Sequence, residues 1–286
     1  MILMSDQEKA LADLMDSRPS AIAESYRLPI TPPLEQGDSN LCWGYAALSM
    51  LETNYLVRHP GSQIMLSRGA LQRDAIADRF HRRLRGEPGQ LSDGGLAVEA
   101  LALIRRHGLV ARGDYHHAVA SAPVFSTLKR KLARRADDMA KRTLLDRELE
   151  ARLGAKPAAT HLDGWALTPE QLAQAVLGNG RWVEFDRSRH GAEGPGPSRD
   201  PEARPETRVV YVQLPTMIDL IHRSLARGQA VVAGTDDHAF LVYGADYAED
   251  GRPLSYLIKD SIAPLTRRAE ASAFAAELND VTVAVQ

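Results

Sequence analysis

A single cysteine, Cys42, stands where the polar run Asp38, Ser39, Asn40 gives way to a long apolar segment, in QGDSNLCWGYAALSML. From Cys42 to about Val57 the residues Ala46, Ala47, Met50, Leu51 and Tyr55 recur at the spacing of one inward helical stripe. Capping-type residues precede it, so Cys42 is expected in the first turn of a helix. Unpaired backbone N–H groups and the helix dipole favour negative charge there. Because the thiolate attacks and the thiol does not, such a position suits a nucleophile. A buried structural thiol is the alternative, since free cysteine is among the most buried residue types. One cysteine also permits no internal disulfide, which suits a reducing cytoplasm.

An activated thiol needs a base, and the base needs an orienting partner. The segment GTDDHAFLVYGADYAEDGRPLSYLIKDS offers both. His238 opens an apolar, β-rich run over Ala239 to Tyr243, EDGRP makes a turn, and Tyr256 to Ile258 return as a second strand that delivers Asp260. A hairpin of this kind brings His238 and Asp260 to one sheet edge, with Cys42 on the other side of the imidazole. The remaining histidines, His59, His81, His107, His116, His117, His161, His190 and His222, lie in polar or irregular contexts without a paired orienting motif. No Cys-x-x-Cys or His-Glu-x-x-His spacing is present, so neither a metal nor another cofactor is expected.

Gln36, Gly37, Cys42 and Trp43 in QGDSNLCW, the HAFLVYG segment and the KDS run resemble the three signature regions of papain-like cysteine peptidases, in the same order. LSRGAL, LSDGGLAVEALALIRRHGLVARGDY, RLGAKPAATHLDGWALTPEQLA and DYAEDGRPLSYLIKDS resemble the bleomycin hydrolase and aminopeptidase C branch, over about Leu28 to Ser261. The resemblance implies an α+β fold of two lobes, a helical N-terminal lobe and a β-rich C-terminal lobe, with the active-site cleft between them. It implies Cys42 as nucleophile and His238 as general base and acid, with Asp260 orienting the imidazole. Gln36 would form the oxyanion hole with the backbone N–H of Cys42. Asp93, Gly94, Gly95 and Asp237 would border the substrate, the glycines letting an extended peptide lie close to the wall. Read singly, Gln36 is an ordinary loop residue, Gly94–Gly95 a turn before a helix, and Trp43 core packing.

Two departures stand out. The branch usually has asparagine where this chain has Asp260, and usually follows it with Ser-Trp-Gly, whereas here Ser261 precedes Ile262 and Ala263. An aspartate can orient an imidazole, as other hydrolase triads do. Loss of the tryptophan is expected to leave the His238–Asp260 bond more open to water.

A chain of 286 residues with 44% hydrophobic content can bury a sizeable core. Residues 1–27 read as an N-terminal extension and 28–286 as the peptidase domain. The sheet is expected from Val209–Leu214, Ala230–Gly234, Ala239–Ala245, Ser255–Asp260 and Val281–Gln286, and a helix around Ala97–His107. A helical insertion at about 124–153 reads as one long or two shorter helices, and residues 187–205, rich in Gly, Pro, Arg and Ser, as a surface loop. The basic run Lys129 to Arg142 contains Asp137 and Asp138, and the net charge is −2, so a solvated helix face is favoured over nucleic-acid binding. No segment reads as a signal peptide or membrane span; a cytoplasmic location is expected, with specialised secretion left open. The branch restricts access by ring assembly and by a C-terminus lying in the cleft. Here VTVAVQ reads as a packed strand, which argues against trimming by a C-terminal carboxylate, while homo-oligomers remain open.

The expected activity is hydrolysis of peptide or amide bonds in a peptide or protein through an acyl-enzyme on Cys42. Acyl transfer to an amine, as in transglutaminase-like enzymes, would use the same Cys-His-Asp order. A catalytically silent papain-like module that binds peptides is the third reading.

Overall fold

Two kinds of surface meet along one helix and one sheet, and their meeting line is where the candidate residues gather. The computed structural model describes residues 25–87, 91–116, 121–134, 137–178, 180–188, 193–199 and 207–285. Most of the expected N-terminal extension therefore lies outside the described residues, as do 189–192 and 200–205 of the expected loop and two of the histidines, His117 and His190. In chain order the helices are α1 (Cys42–Arg58), α2 (Arg68–Leu84), α3 (Ala97–His107), α4 (Ser121–Ala133), α5 (Asp138–Leu153), α6 (Pro169–Leu177), α7 (Leu214–Ala226) and α8 (Ala271–Glu277). The strands are β1 (Ser25–Arg27), β2 (Thr160–Leu162), β3 (Trp165–Leu167), β4 (Arg181–Arg187), β5 (Gly194–Pro197), β6 (Arg208–Val212), β7 (Val231–Gly234), β8 (Ala239–Tyr247), β9 (Pro253–Lys259), β10 (Thr266–Glu270) and β11 (Asp280–Val285).

The main sheet runs β10-β9-β8-β7-β11-β4-β6-β5, with β1 pairing β8. Its pairings are antiparallel except β4 with β6. Alternation along β8 and its neighbours assigns each face its own core. Leu241 and Tyr243, with Val232 and Leu257, join the cluster built around α1. Phe240 and Val242, with Val231, Ala233 and Ile258, face Met217, Leu220 and Ile221 of α7 and Phe274 of α8. A period of two thus places one strand between two helical layers. At Gly244 a Cβ would run into the Tyr26 carbonyl of β1, so only glycine fits that crossing.

Helix α1 departs from the single inward stripe expected of it. It is buried on every side from Trp43 to Thr53, with Ser49, Glu52 and Thr53 enclosed beside Ala47, Leu48 and Met50. A helix between a sheet and other helices has no wet face, so its polar residues must find partners inside. Fully burying an apolar side chain of the size of Leu48 or Met50 stabilises by roughly 1.5–3 kcal/mol. Glu52 accepts from Arg68 Nη1, and from Arg68 Nη2 at 3.0 Å and Leu66 N at 2.7 Å. Lys259 approaches Glu52 at 3.7 Å and donates to Thr31 at 2.7 Å.

The expected insertion resolves into two helices. Phe125, Leu128 and Leu132 of α4 and Leu145 and Leu149 of α5 pack on Ile76 and Phe80 of α2. Lys131 pairs with Glu148, Lys141 with Asp138 and Arg152 with Glu148, so these basic groups face acidic neighbours of the same hairpin. Three sequence expectations change. Leu214 starts α7 instead of ending a strand, because Pro215 suits the first turn of a helix. Part of the expected loop, Gly194–Pro197, is an edge strand paired to β6. Strands β4 and β10 join the sheet, and β11, the expected last strand, lies between β7 and β4.

Candidate active site

Helix α1 carries Cys42 at its first residue. Leu41 is the N-cap, and none of Asp38, Ser39 and Asn40 caps the helix through its side chain. The approach is held differently: Asp93 accepts from the backbone N–H of Asn40 at 3.0 Å, and its carbonyl accepts from Trp43 Nε1 at 2.8 Å. Without a side-chain cap, the first-turn N–H groups are left to what lies beyond the helix end. Cys42 is half-buried and lines a cleft of about 610 Å³ together with Gln36, Gly94, Gly95, Asp237 and His238.

His238 arrives from the sheet side. The β8–β9 register pairs Leu241 with Lys259, which sets His238 and Asp260 at the same end of the hairpin. His238 Nε2 lies 2.8 Å from Asp260 Oδ1, which also accepts from Ile262 N at 3.1 Å. With Nε2 engaged, the buried Nδ1 has no partner at hydrogen-bonding geometry, and the thiol of Cys42 is the group close enough to affect the ring's proton. Burial alone would lower the imidazole pKa; hydrogen bonding and charge from Asp260 and Cys42 outweigh it and hold the pKa up at about 9. The Asp260 carboxyl is raised by burial but lowered more by bonds from His238 and the following backbone, so its net displacement is downward. At neutral pH the couple is an imidazolium against a carboxylate.

The His238 and Asp260 side chains are only 12% and 11% exposed. The openness expected from the missing tryptophan is therefore not found. Arg267 Nη2 on β10 stands 3.7 Å from Asp260 Oδ2, the carboxylate oxygen that His238 does not take.

Gln36 is pinned from both sides. Its backbone N–H donates to the Ser261 carbonyl at 2.9 Å, and its Oε1 accepts from Ser261 Oγ at 2.7 Å. Its Nε2 donates to the Ser39 carbonyl at 2.7 Å, leaving a second N–H on the same nitrogen for the cleft. Gly94 and Gly95 form the opposite wall. Arg79 clamps the carbonyls of Ser92 and Gly94, and a Cβ at Gly95 would meet Glu99, Arg79 and Trp43 at 3.0–3.2 Å. Asp93 faces α1 instead of the cleft, whereas Asp237 is an exposed lining residue that accepts from Thr235 Oγ1 at 3.3 Å.

Three histidines read as unpartnered are partnered. His81 Nε2 lies 3.2 Å from Asp146 Oδ1. His161 Nδ1 lies 3.0 Å from Asp114 Oδ1, on the β2–β3 hairpin. His222 is half-buried with Nε2 2.8 Å from Tyr256 Oη, a setting that pushes its pKa down to about 4 by desolvation. Among the described residues no group of three or more His, Cys, Asp or Glu is arranged to hold a metal ion. Ser261 and Arg267 were not singled out from sequence. Ser261 was visible in the KDS run, but Arg267 is brought to Asp260 by pairing of β10 with β9 and carries no local signal.

No protein-family model matches the chain, and no curated protein matches it. Among solved structures, PepW from Lactobacillus rhamnosis HN001 is similar at a TM-score of 0.71 with 16% identity, over 92% of this chain and 82% of that one. The fold is papain-like. A mite-allergen structure from work on Blo t 1 and Der p 1 overlaps at a TM-score of 0.49 with 14% identity, over 99% and 83% of the two chains. The proform of the ragweed pollen cysteine protease Amb a 11 overlaps at 0.48 with 12% identity, over 93% and 66%. The papain-like assignment rests on the first of these. In this papain-like frame Cys42 belongs to the helical lobe and the His238–Asp260 couple to the β-rich lobe, with the cleft on the seam.

Proposed function

We propose that the protein is a cysteine hydrolase that cleaves peptide or amide bonds through a thioester on Cys42. The observation that carries this reading is the His238 ring, fixed through Nε2 to Asp260 at 2.8 Å so that Nδ1 is left for the thiol in a shared cleft. Cys42 Sγ bonds to the substrate carbonyl carbon, and the proton held on Nδ1 passes to the leaving amine nitrogen. Water then attacks the thioester, returns a proton to Nδ1, and releases the carboxylic acid and the thiolate. The free N–H of Gln36 Nε2 and the N–H of Cys42 receive the developing oxyanion, donors typically worth roughly 3–4 kcal/mol in the transition state. Gly95 presents bare main chain to an extended substrate, and Asp237 borders it. Kinship with the bleomycin hydrolase and aminopeptidase C branch is part of this proposal and is supported by the motif resemblance between Leu28 and Ser261. A peptide or protein is the expected partner.

Labelling with iodoacetamide or an epoxide probe, compared among wild type, Cys42→Ala and His238→Ala across pH, tests the reading. Fast labelling of wild type at neutral pH, slowed strongly in His238→Ala, is the expected result. Wild-type labelling no faster than that of an ordinary thiol would sink it. Incubation with a peptide library, with and without an added amine, separates hydrolysis from acyl transfer by product mass.

A further inference from the structure

The two oxygens of Asp260 have different neighbours. Oδ1 takes His238 Nε2 and the Ile262 N–H, while Oδ2 faces Arg267 at 3.7 Å. Arg267 comes from β10, whose antiparallel register with β9 sets Thr266 opposite Lys259. Its guanidinium also lies 5.6 Å from the centroid of Phe240, whose ring is 6.0 Å from that of His238. An ionic and an aromatic contact together hold a long side chain that one exposed ion pair would leave free. Arg267 is 45% exposed while Asp260 and His238 are nearly enclosed, so the guanidinium forms the outer layer of the couple.

We infer that Arg267 is a positioning residue: it neutralises the outer oxygen of Asp260 and covers the couple, keeping the inner oxygen on His238 Nε2 and Nδ1 turned to Cys42. The inference rests on Cys42 and His238 being nucleophile and base. The charged and titratable groups around the ring are Cys42 from α1, Asp260 after β9, Arg267 from β10, and Asp236 and Asp237 on the ring's own approach. A full carboxylate behind the ring tightens its hold on the proton, and a base that binds its proton too strongly releases it poorly to a leaving amine. Arg267 offsets part of that charge.

The test compares Arg267→Ala, Arg267→Gln and Arg267→Lys with Arg268→Ala, a control on the same strand that removes a pair with Asp246. Three quantities are read: the NMR titration of His238, the pH dependence of Cys42 alkylation, and kcat and KM on peptide. Arg267→Ala and Arg267→Gln should move the His238 titration upward by roughly 0.2–0.7 pH unit, the size expected of a partly exposed ion pair. The alkaline limb of kcat should follow, kcat should fall several-fold, and KM should stay near wild type. Arg267→Lys and Arg268→Ala should leave the titration in place. A His238 titration unmoved in Arg267→Gln, or moved equally in Arg268→Ala, overturns the inference. If Arg267→Ala fails to fold, the Gln and Lys variants decide the matter. Absence of turnover in wild type, with the titration still displaced in Arg267→Gln, would instead remove the hydrolase reading and leave the Arg267 coupling standing.

Discussion

In the proposed chemistry, Asp260 is the residue on which most turns. It holds the imidazole through one oxygen, and its charge helps keep the His238 pKa at about 9. Asp260→Asn should keep measurable activity because an amide oxygen can still accept from Nε2, with the alkaline limb moved to lower pH. Asp260→Ala should lose most activity, and equal kcat/KM for wild type and Asp260→Ala would remove Asp260 from the mechanism. For stability, the folded-state pKa of His238 lies above its ordinary 6.5, so the couple's contribution is fully present below about pH 6.5 and is lost as pH rises through about 9. On the acid side the lowered Asp260 pKa makes the same contribution disappear as the carboxylate protonates. Gln36→Ala should lower kcat by roughly 10²–10³ while leaving the rate of Cys42 alkylation unchanged, since it removes an oxyanion donor and not the base. A parallel loss of alkylation would instead mean that Gln36 supports the thiol, through Ser39 or Ser261.

At the scale of elements, α1 and β9 are joined by Glu52, Arg68 and Lys259, and the partners are not equivalent. Burial alone would raise the Glu52 pKa, but Arg68 and then Lys259 bring it below the ordinary value, so the carboxylate is net stabilised in the fold. Lys259 is displaced the other way, down to about 8, because its own desolvation exceeds what Glu52 returns. Arg68 therefore does most to compensate the buried carboxylate. Glu52→Ala, which strands two enclosed cations, should destabilise by roughly 3–5 kcal/mol in urea unfolding. Lys259→Met should cost less than about 1 kcal/mol, because Arg68 still satisfies Glu52. Equal losses from the two substitutions would contradict this ranking.

For the whole molecule, the sheet between two helical layers places another titrating group, half-buried, on the β-rich side. His222 lies against Tyr247 and Tyr256 with a pKa pushed down to about 4. Below pH 6.5 the unfolded chain binds this proton more readily than the folded one. Stability is thus lost as pH falls from about 6.5 to about 4, by roughly 2–4 kcal/mol. Urea midpoints at pH 7 and pH 4.5 should differ less in His222→Phe than in wild type; an unchanged difference would place the acid sensitivity elsewhere.

Local sequence determined what is chemically local. A cysteine after a polar run and before an apolar segment starts a helix, and a histidine and an aspartate flanking a β-turn-β run share a sheet edge, because helix periodicity and hairpin pairing act over a few residues. Tertiary structure decided the rest. Burial of α1 on all sides, the turn of Asp93 toward Asn40, the Ser261 hold on Gln36 and the arrival of Arg267 at Asp260 depend on which segments, distant in the chain, come to lie together. Strand β4 and the edge strand β5 were likewise found only in the fold, since a strand needs a partner and its partner is chosen by the whole sheet. The candidate residues for a thiol nucleophile and its base are legible in the chain. How tightly that base is held, and what covers it, is set by packing between strands that no short window of sequence contains.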